Sequence, residues 1–249
     1  MKNLFFIALA LLCLNISQAQ DFYLPVSTKS EIAKAAYYKM SQAASMLNFE
    51  VAEEQFTAAI EADPNFFMAY VLNLYYSGGE ERAALIDKAL AIDVSNFNEA
   101  EKIVRQHLVV WDKDPKAKIG ENMKALVAAY PTTPEAYMWA ALHAGYTDGD
   151  NEAAIKYAEK VVEFRPDLAP IYNVLGYAYM DIGQMDKAKV AFEKQIALSP
   201  KQANPYDSMA DYYVVMKDYA KAAENYDKAA ALGLTDAKER ADEAREKMK

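Results

Sequence analysis

The sequence predicts an all-α protein, an α-solenoid of about six helix pairs closed by one C-terminal capping helix. Three observations carry this. Between Leu168 and Gly233 one pattern occurs twice at a spacing of 34 residues: Tyr172, Leu175, Gly176 and Tyr179 return as Tyr206, Met209, Ala210 and Tyr213, and Ala188 and Phe192 return as Ala222 and Tyr226. Within each copy the first four residues stand at i, i+3, i+4 and i+7, which places them on one face of a helix. The breaks between helices are short: Asp181-Ile182-Gly183-Gln184 and Met216-Lys217-Asp218-Tyr219 leave room only for a hairpin of adjacent antiparallel helices.

The same residues resemble the tetratricopeptide repeat, whose signature runs W-x2-L-G-x2-Y, then A-x3-F, then P. Tyr172 stands in place of the Trp; Leu175-Gly176, Tyr179, Ala188, Phe192 and Pro200 match the rest. Small residues at Gly176, Ala210, Ala188 and Ala222 let paired helices approach closely. Pro200, without an amide hydrogen, ends one unit, and Gly233 followed by Thr235 supplies a glycine stop and then a cap. The resemblance implies a right-handed superhelix that acts as an interaction module and carries out no reaction of its own.

Taken in order, residues 1–19 read as a signal peptide. Lys2 precedes the apolar run Leu4 to Leu14, and Ser17-Gln18-Ala19 supplies the small residues of a cleavage site. That run is shorter than the ~20 residues a membrane span needs. Residues 20–30 form an extended lead-in, with Pro25 and a polar stretch ending at Ser30, a helix-capping residue type. Residues 31–249 form the repeat domain. Its first pair ends in a helix from Phe49 to Ala62 bearing Ala52, Phe56 and Ala59, and Pro64 closes it. A shortened pair follows: Phe66 to Tyr76, the turn Ser77-Gly78-Gly79, and Glu80 to Ile92. Asn98 to Trp111 and Lys116 to Tyr130 make an irregular pair across Asp112-Lys113-Asp114-Pro115.

From Thr132 the rhythm recovers. Tyr137, Ala140, Ala141 and Ala144 lie on one helix, Asp148-Gly149-Asp150 turns, and Ala153 and Tyr157 lie on the next. This unit is 35 residues from its successor, and the extra residue is expected in the connector Phe164 to Pro170. After the last pair, Ala237, Ala241, Ala244 and Met248 form a thin apolar stripe on a charged helix, the polar-backed cap that a stack of repeats needs.

Composition narrows the chemistry. The net charge is -9 and the pI about 4.9, which argues against nucleic acid or an anionic membrane surface as partner. Cys13 is the sole cysteine, so a chain cleaved after Ala19 has no disulfide and no thiol nucleophile. His107 and His143 are the two histidines, and neither H-E-x-x-H nor paired cysteines accompany them. Both read as ordinary helix residues. There is no Gly-rich phosphate loop and no G-x-S-x-G elbow. The reading therefore expects no cofactor, no metal, no catalytic residue and no membrane insertion of the mature chain. Most of the tyrosines fall on packing positions, with Tyr177, Trp111 and Trp139 less constrained.

The function these features imply is a non-enzymatic scaffold of the periplasm or cell exterior that binds a protein or peptide segment. The alternative is a small-molecule or glycan-binding component of an envelope uptake system. The resemblance places the first helix of each pair along a concave groove. The residues beside the packing positions are then Asn173, Tyr177 and Met180 in one repeat, Asp207, Asp211 and Val214 in the next, and Met138, Leu142 and Tyr146 in the preceding one. Asp207 and Asp211, four apart on one helix face, would attract a Lys or Arg of a basic or apolar segment. Replacing both with Asn is expected to weaken capture without changing the melting temperature.

Overall fold

Apolar side chains recurring every three or four residues build thirteen α-helices among the described residues of the computed structural model. Described are residues 22–45, 48–75, 77–114, 117, 118 and 120–249, so the reading of residues 1–19 as a signal peptide lies outside them. Two units are distinguished, one ending at Ala140 and one beginning at Ala141. The fold class is the one the sequence predicts, an all-α solenoid of helix pairs.

The first unit contains α1 (Glu31–Ser45), α2 (Phe49–Ala62), α3 (Phe67–Leu74), α4 (Gly79–Ala91), α5 (Glu99–Lys113), α6 (Gly120–Ala129) and most of α7 (Pro134–Leu142). Side-chain caps mark the starts. Asn48 accepts from Val51 N at 3.3 Å, and Asn98 and Glu101 form a reciprocal capping box on α5. Helix α1 packs on α2, α3 on α4 and α5 on α6, as short connections require. Every residue of α3 is buried, because this short helix meets protein on all sides. Its brevity is what makes the second pair short.

The second unit holds α8 (Asn151–Phe164), α9 (Ala169–Asp181), α10 (Met185–Leu198), α11 (Asn204–Val215), α12 (Tyr219–Ala231) and α13 (Ala237–Glu246). The signature residues pack as their spacing predicts, except that Tyr206 and Tyr213 of α11 are only half-buried. Tyr172, Leu175 and Tyr179 are buried on α9, Met209 and Ala210 on α11, and Ala188, Phe192, Ala222 and Tyr226 on the second helices. Ala237, Ala241 and Ala244 of α13 close the last cluster, while Met248 is exposed. Gly233 stops α12 with φ +106, but Thr235 does not cap α13, which starts after Asp236 with no side-chain cap.

The extra residue of the Thr132 unit lies elsewhere than the connector. From Tyr137 to Tyr172 is 35 residues, whereas from Ala154 to Ala188 is 34. The insertion therefore falls between them, where α7 continues into a π-helical segment, His143–Asp148. The closing bond shows it directly. Asp150 N donates to Ala144 O across six residues, while Gln184 N to Tyr179 O and Asp218 N to Tyr213 O each span five. A π turn is how a helix absorbs one surplus residue without losing its hydrogen-bond ladder. The packing register of α8 shifts accordingly: Ala154 and Ala158 are buried where Ala153 and Tyr157 were expected, and both of the latter are half-buried.

Candidate functional site

In the second unit the signature residues are consumed by packing, so the positions between them decide what a ligand would meet. Asn173, Tyr177 and Met180 on α9 and Asp207, Asp211 and Val214 on α11 are all half-buried. Tyr146, on the π-helical segment, is 61% exposed and Leu142 38%. Met138 is half-buried on the part of α7 that belongs to the first unit.

Asn173 is the centre of a polar network. Its Oδ1 accepts from the Tyr146 hydroxyl at 3.1 Å, and its Nδ2 donates to Ser208 Oγ at 2.7 Å. Gln195 Oε1 and Asn204 Oδ1 each lie 3.4 Å from the same Nδ2, and Gln195 Nε2 donates to Asn204 Oδ1 at 2.8 Å. Ser208 and Gln195 are buried, so these bonds satisfy groups whose isolation would be costly. The network fixes the rotamer of Asn173 and holds Tyr146 across the mouth of this face.

The two aspartates do not stand open. Arg240, from α13, donates through Nη1 to Asp207 Oδ1 at 2.6 Å and through Nη2 to Asp211 Oδ1. Tyr177 OH donates to Asp211 Oδ2 at 2.8 Å, and Tyr226 OH to Asp211 Oδ1 at 2.5 Å. The guanidinium also lies over the Tyr226 ring, 4.4 Å from its centroid, and Nη2 reaches the Tyr226 hydroxyl at 2.9 Å. Burial raises the pKa of Asp207 and the Arg240 contact opposes that rise. Burial and then the Asp211 charge push the Tyr177 hydroxyl far above its ordinary value. Burial works against the Arg240 charge, but the two carboxylates outweigh it and raise its pKa. Two carboxylates face one guanidinium, which leaves the cluster with one net negative charge.

Replacing both aspartates by asparagine keeps one acceptor oxygen at each position but removes the charge that faces Arg240 and one of the two Asp211 oxygens that accept from Tyr177 and Tyr226, so a lowered melting temperature replaces the expectation of an unchanged one. Arg240 was legible in principle, standing 34 residues after Tyr206 and so in register with the repeat. Ser208, Gln195 and Asn204 carried no sequence signal, being isolated polar residues whose roles appear only when α9, α10 and α11 meet.

The less constrained aromatics are mostly packed. Trp139 is 5% exposed, and Trp111 stacks on Tyr75 at 6.0 Å with Arg82 above its ring. His107 is buried, and burial lowers its pKa to about 4. Among the described residues no group of three or more His, Cys, Asp or Glu is placed to hold a metal ion, and no helix is long and apolar enough to cross a membrane.

Residues 134–168 and 169–202 match the family model of the tetratricopeptide repeat. These two stretches are tetratricopeptide repeats. Over 58 residues the chain is 40% identical to the Hsp70-Hsp90 organizing protein of Triticum aestivum, a match covering 23% of this chain and 10% of that protein. The chain thus spans a tenth of that relative's length. Among solved structures, a thermophilic tetratricopeptide-repeat protein of Thermus thermophilus is similar, with a TM-score of 0.50 and 19% identity over 85% of this chain and 98% of that one. PilW, a type IV pilus biogenesis factor, is similar with a TM-score of 0.53 and 16% identity over 84% and 98%. At these identities the likeness is one of fold. The repeat at 134–168 is the one that carries the π-helical insertion.

Proposed function

We propose that the chain is an exported, non-catalytic scaffold of the periplasm or cell exterior, which binds a protein or peptide segment on the α9 and α11 face of its second unit. The observation that carries the reading is the division of labour on these helices. The repeat signature is spent on packing, while Asn173, Tyr177, Asp207 and Asp211 form a connected, half-buried polar strip beside exposed Tyr146 and Leu142. The net negative charge at Asp207 and Asp211 favours a Lys or Arg in the ligand. Tyr146, Leu142, Met180 and Val214 offer apolar area to the residues that flank it. The curated relative is by name an organizing protein for Hsp70 and Hsp90, which accords with a scaffold role.

Affinity capture from an envelope fraction tests this, with full-length protein immobilised alongside two variants. Tyr146→Ala removes a largely exposed side chain and should reduce capture, at the small cost in melting temperature of the one bond it gives to Asn173. Arg240→Gln frees both carboxylates and should strengthen binding of a Lys/Arg-rich partner, more so at low salt. Capture indifferent to both variants would move the site away from this face.

A further inference from the structure

The lead-in, residues 22–30, precedes the first helix pair and adopts no regular structure, yet it is held more tightly than a connector needs. Leu24 is fully buried and Phe22 nearly so, which gives the segment two apolar anchors two residues apart. Four main-chain groups of this segment are engaged by groups at the starts of α5 and α7. Phe22 O accepts from Glu135 N at 3.0 Å, and Leu24 N donates to Glu135 Oε2 at 2.6 Å. Pro25 O accepts from Asn98 Nδ2 at 2.8 Å, and Ser27 N donates to Glu101 Oε1 at 2.9 Å.

Side chains add to this. Ser27 Oγ donates to the same Glu101 oxygen at 2.9 Å, and Thr28 Oγ1 to Asp63 Oδ2 at 2.5 Å. Tyr23 stacks on Tyr38 of α1 with centroids 4.4 Å apart. Within the segment Phe22 and Tyr23 meet edge-on at 5.0 Å, and the bonds above tie it to the surrounding helices. Backbone groups held by fixed side chains, with alternate side chains seated as anchors, is the way a protein binds an extended peptide. Glu135 and Glu101 are themselves fully buried. An empty cleft would take the Leu24 and Ser27 amide donors from two buried carboxyl groups, and losing bonds in a buried site costs more than the bonds return when made.

We infer that the first unit contains a recognition cleft for an extended, uncharged peptide segment of another protein, held closed in this chain by its own residues 22–28. The occupant is specified by what the cleft asks of it. It needs apolar side chains at the positions of Phe22 and Leu24, free amides at those of Leu24 and Ser27, and a hydroxyl at the latter. Proline is accommodated between them, its carbonyl accepting from Asn98 Nδ2. The tethered segment competes at the high effective concentration of an intramolecular ligand, so an incoming segment binds well only when the tether is loosened. This cleft is separate from the face proposed above, and either reading can fail without the other.

The test uses the full chain and a fluorescent synthetic peptide with the sequence of residues 20–30. Leu24→Ser weakens the internal segment while keeping the cleft; if it loses helical signal, Ser27→Ala removes one side-chain bond more gently. The weakened variant, still helical and monomeric, should bind the peptide at least ~10-fold more tightly than the wild type does. A peptide N-methylated at the amides corresponding to Leu24 and Ser27 should not bind, since those two donors alone are removed. A helical variant that ignores the peptide, or binds the methylated form equally, overturns the inference. So does a variant that forms dimers which the peptide cannot dissociate, because the segment would then be an exchange element between two copies of this chain.

Discussion

Gly176 is the point where one methyl group should matter most. A Cβ built there would lie 2.6 Å from both Cδ1 and Cζ of Phe192, and closer still to Cε1. Phe192 is fully buried, with Tyr177 edge-on at 5.2 Å and Tyr212 at 6.4 Å, so the ring has nowhere to retreat. Two effects oppose each other in Gly176→Ala. Alanine gains about 1 kcal/mol of helix propensity over glycine. Overpacking a filled core costs about 1–3 kcal/mol, and a gap this far below van der Waals contact belongs at the upper end. The net expectation is a loss of about 1–2 kcal/mol, or a melting temperature lower by about 2–8 °C in a chain of this length.

Urea melts followed by circular dichroism would measure it, together with Phe192→Leu and the double variant. Phe192→Leu alone should cost stability by losing packing, yet it also opens the space the alanine needs. The double variant should therefore be more stable than the two single losses predict, by about 1 kcal/mol or more. Additive losses, or a Gly176→Ala protein as stable as the wild type, would refute the reasoning. Ala210, at the equivalent position of the next repeat, is buried in a cluster with Tyr226 and serves as the control. There a methyl is already accommodated, so Ala210→Gly should only destabilise.

Four further outcomes are expected. Lys217 holds φ 59 where the preceding repeat has Gly183 at φ 77, so Lys217→Gly should relieve left-handed strain and raise the melting temperature by about 2 °C. Burial pushes the Glu135 pKa up to about 8, so the folded chain keeps a proton that the unfolded chain has released above the ordinary carboxylate value; stability should fall by up to about 1.4 kcal/mol per pH unit as pH rises from 5 towards 8. Glu135→Gln should flatten that slope in urea midpoints taken across the range, and an unaltered slope would assign it to another group. Asp207→Asn with Asp211→Asn should lower the melting temperature by removing the negative charge that faces Arg240, at a cost of about 1 kcal/mol given their partial exposure. On the exported reading proposed above, intact-mass measurement of protein from its native source should show a chain beginning at Gln20, whereas a mass retaining residues 1–19 would overturn that reading.

The helices were legible because what forms them is local. An apolar face at i, i+3, i+4 and i+7, a breaker and a cap lie within one helix, and their return after 34 residues needs no knowledge of contacts. Helix α2 runs from Phe49 to Ala62 as its pattern predicts, with Ala52, Phe56 and Ala59 buried. What lay beyond the sequence depended on distant partners. The surplus residue of one repeat could be counted but not located, because His143–Asp148 reads as helix and turn whether its bonds span four residues or five. Only the backbone shows the π turn, and with it the shift of packing from Ala153 and Tyr157 to Ala154 and Ala158. Asp207 and Asp211 announced an acidic pair, but their neutralisation comes from Arg240 on another helix. The sequence marks the lead-in only as lying outside the helical pattern. That it is seated among buried carboxylates follows from bonds such as Leu24 to Glu135, which join residues 111 apart and exist only once α5 and α7 have folded beside it.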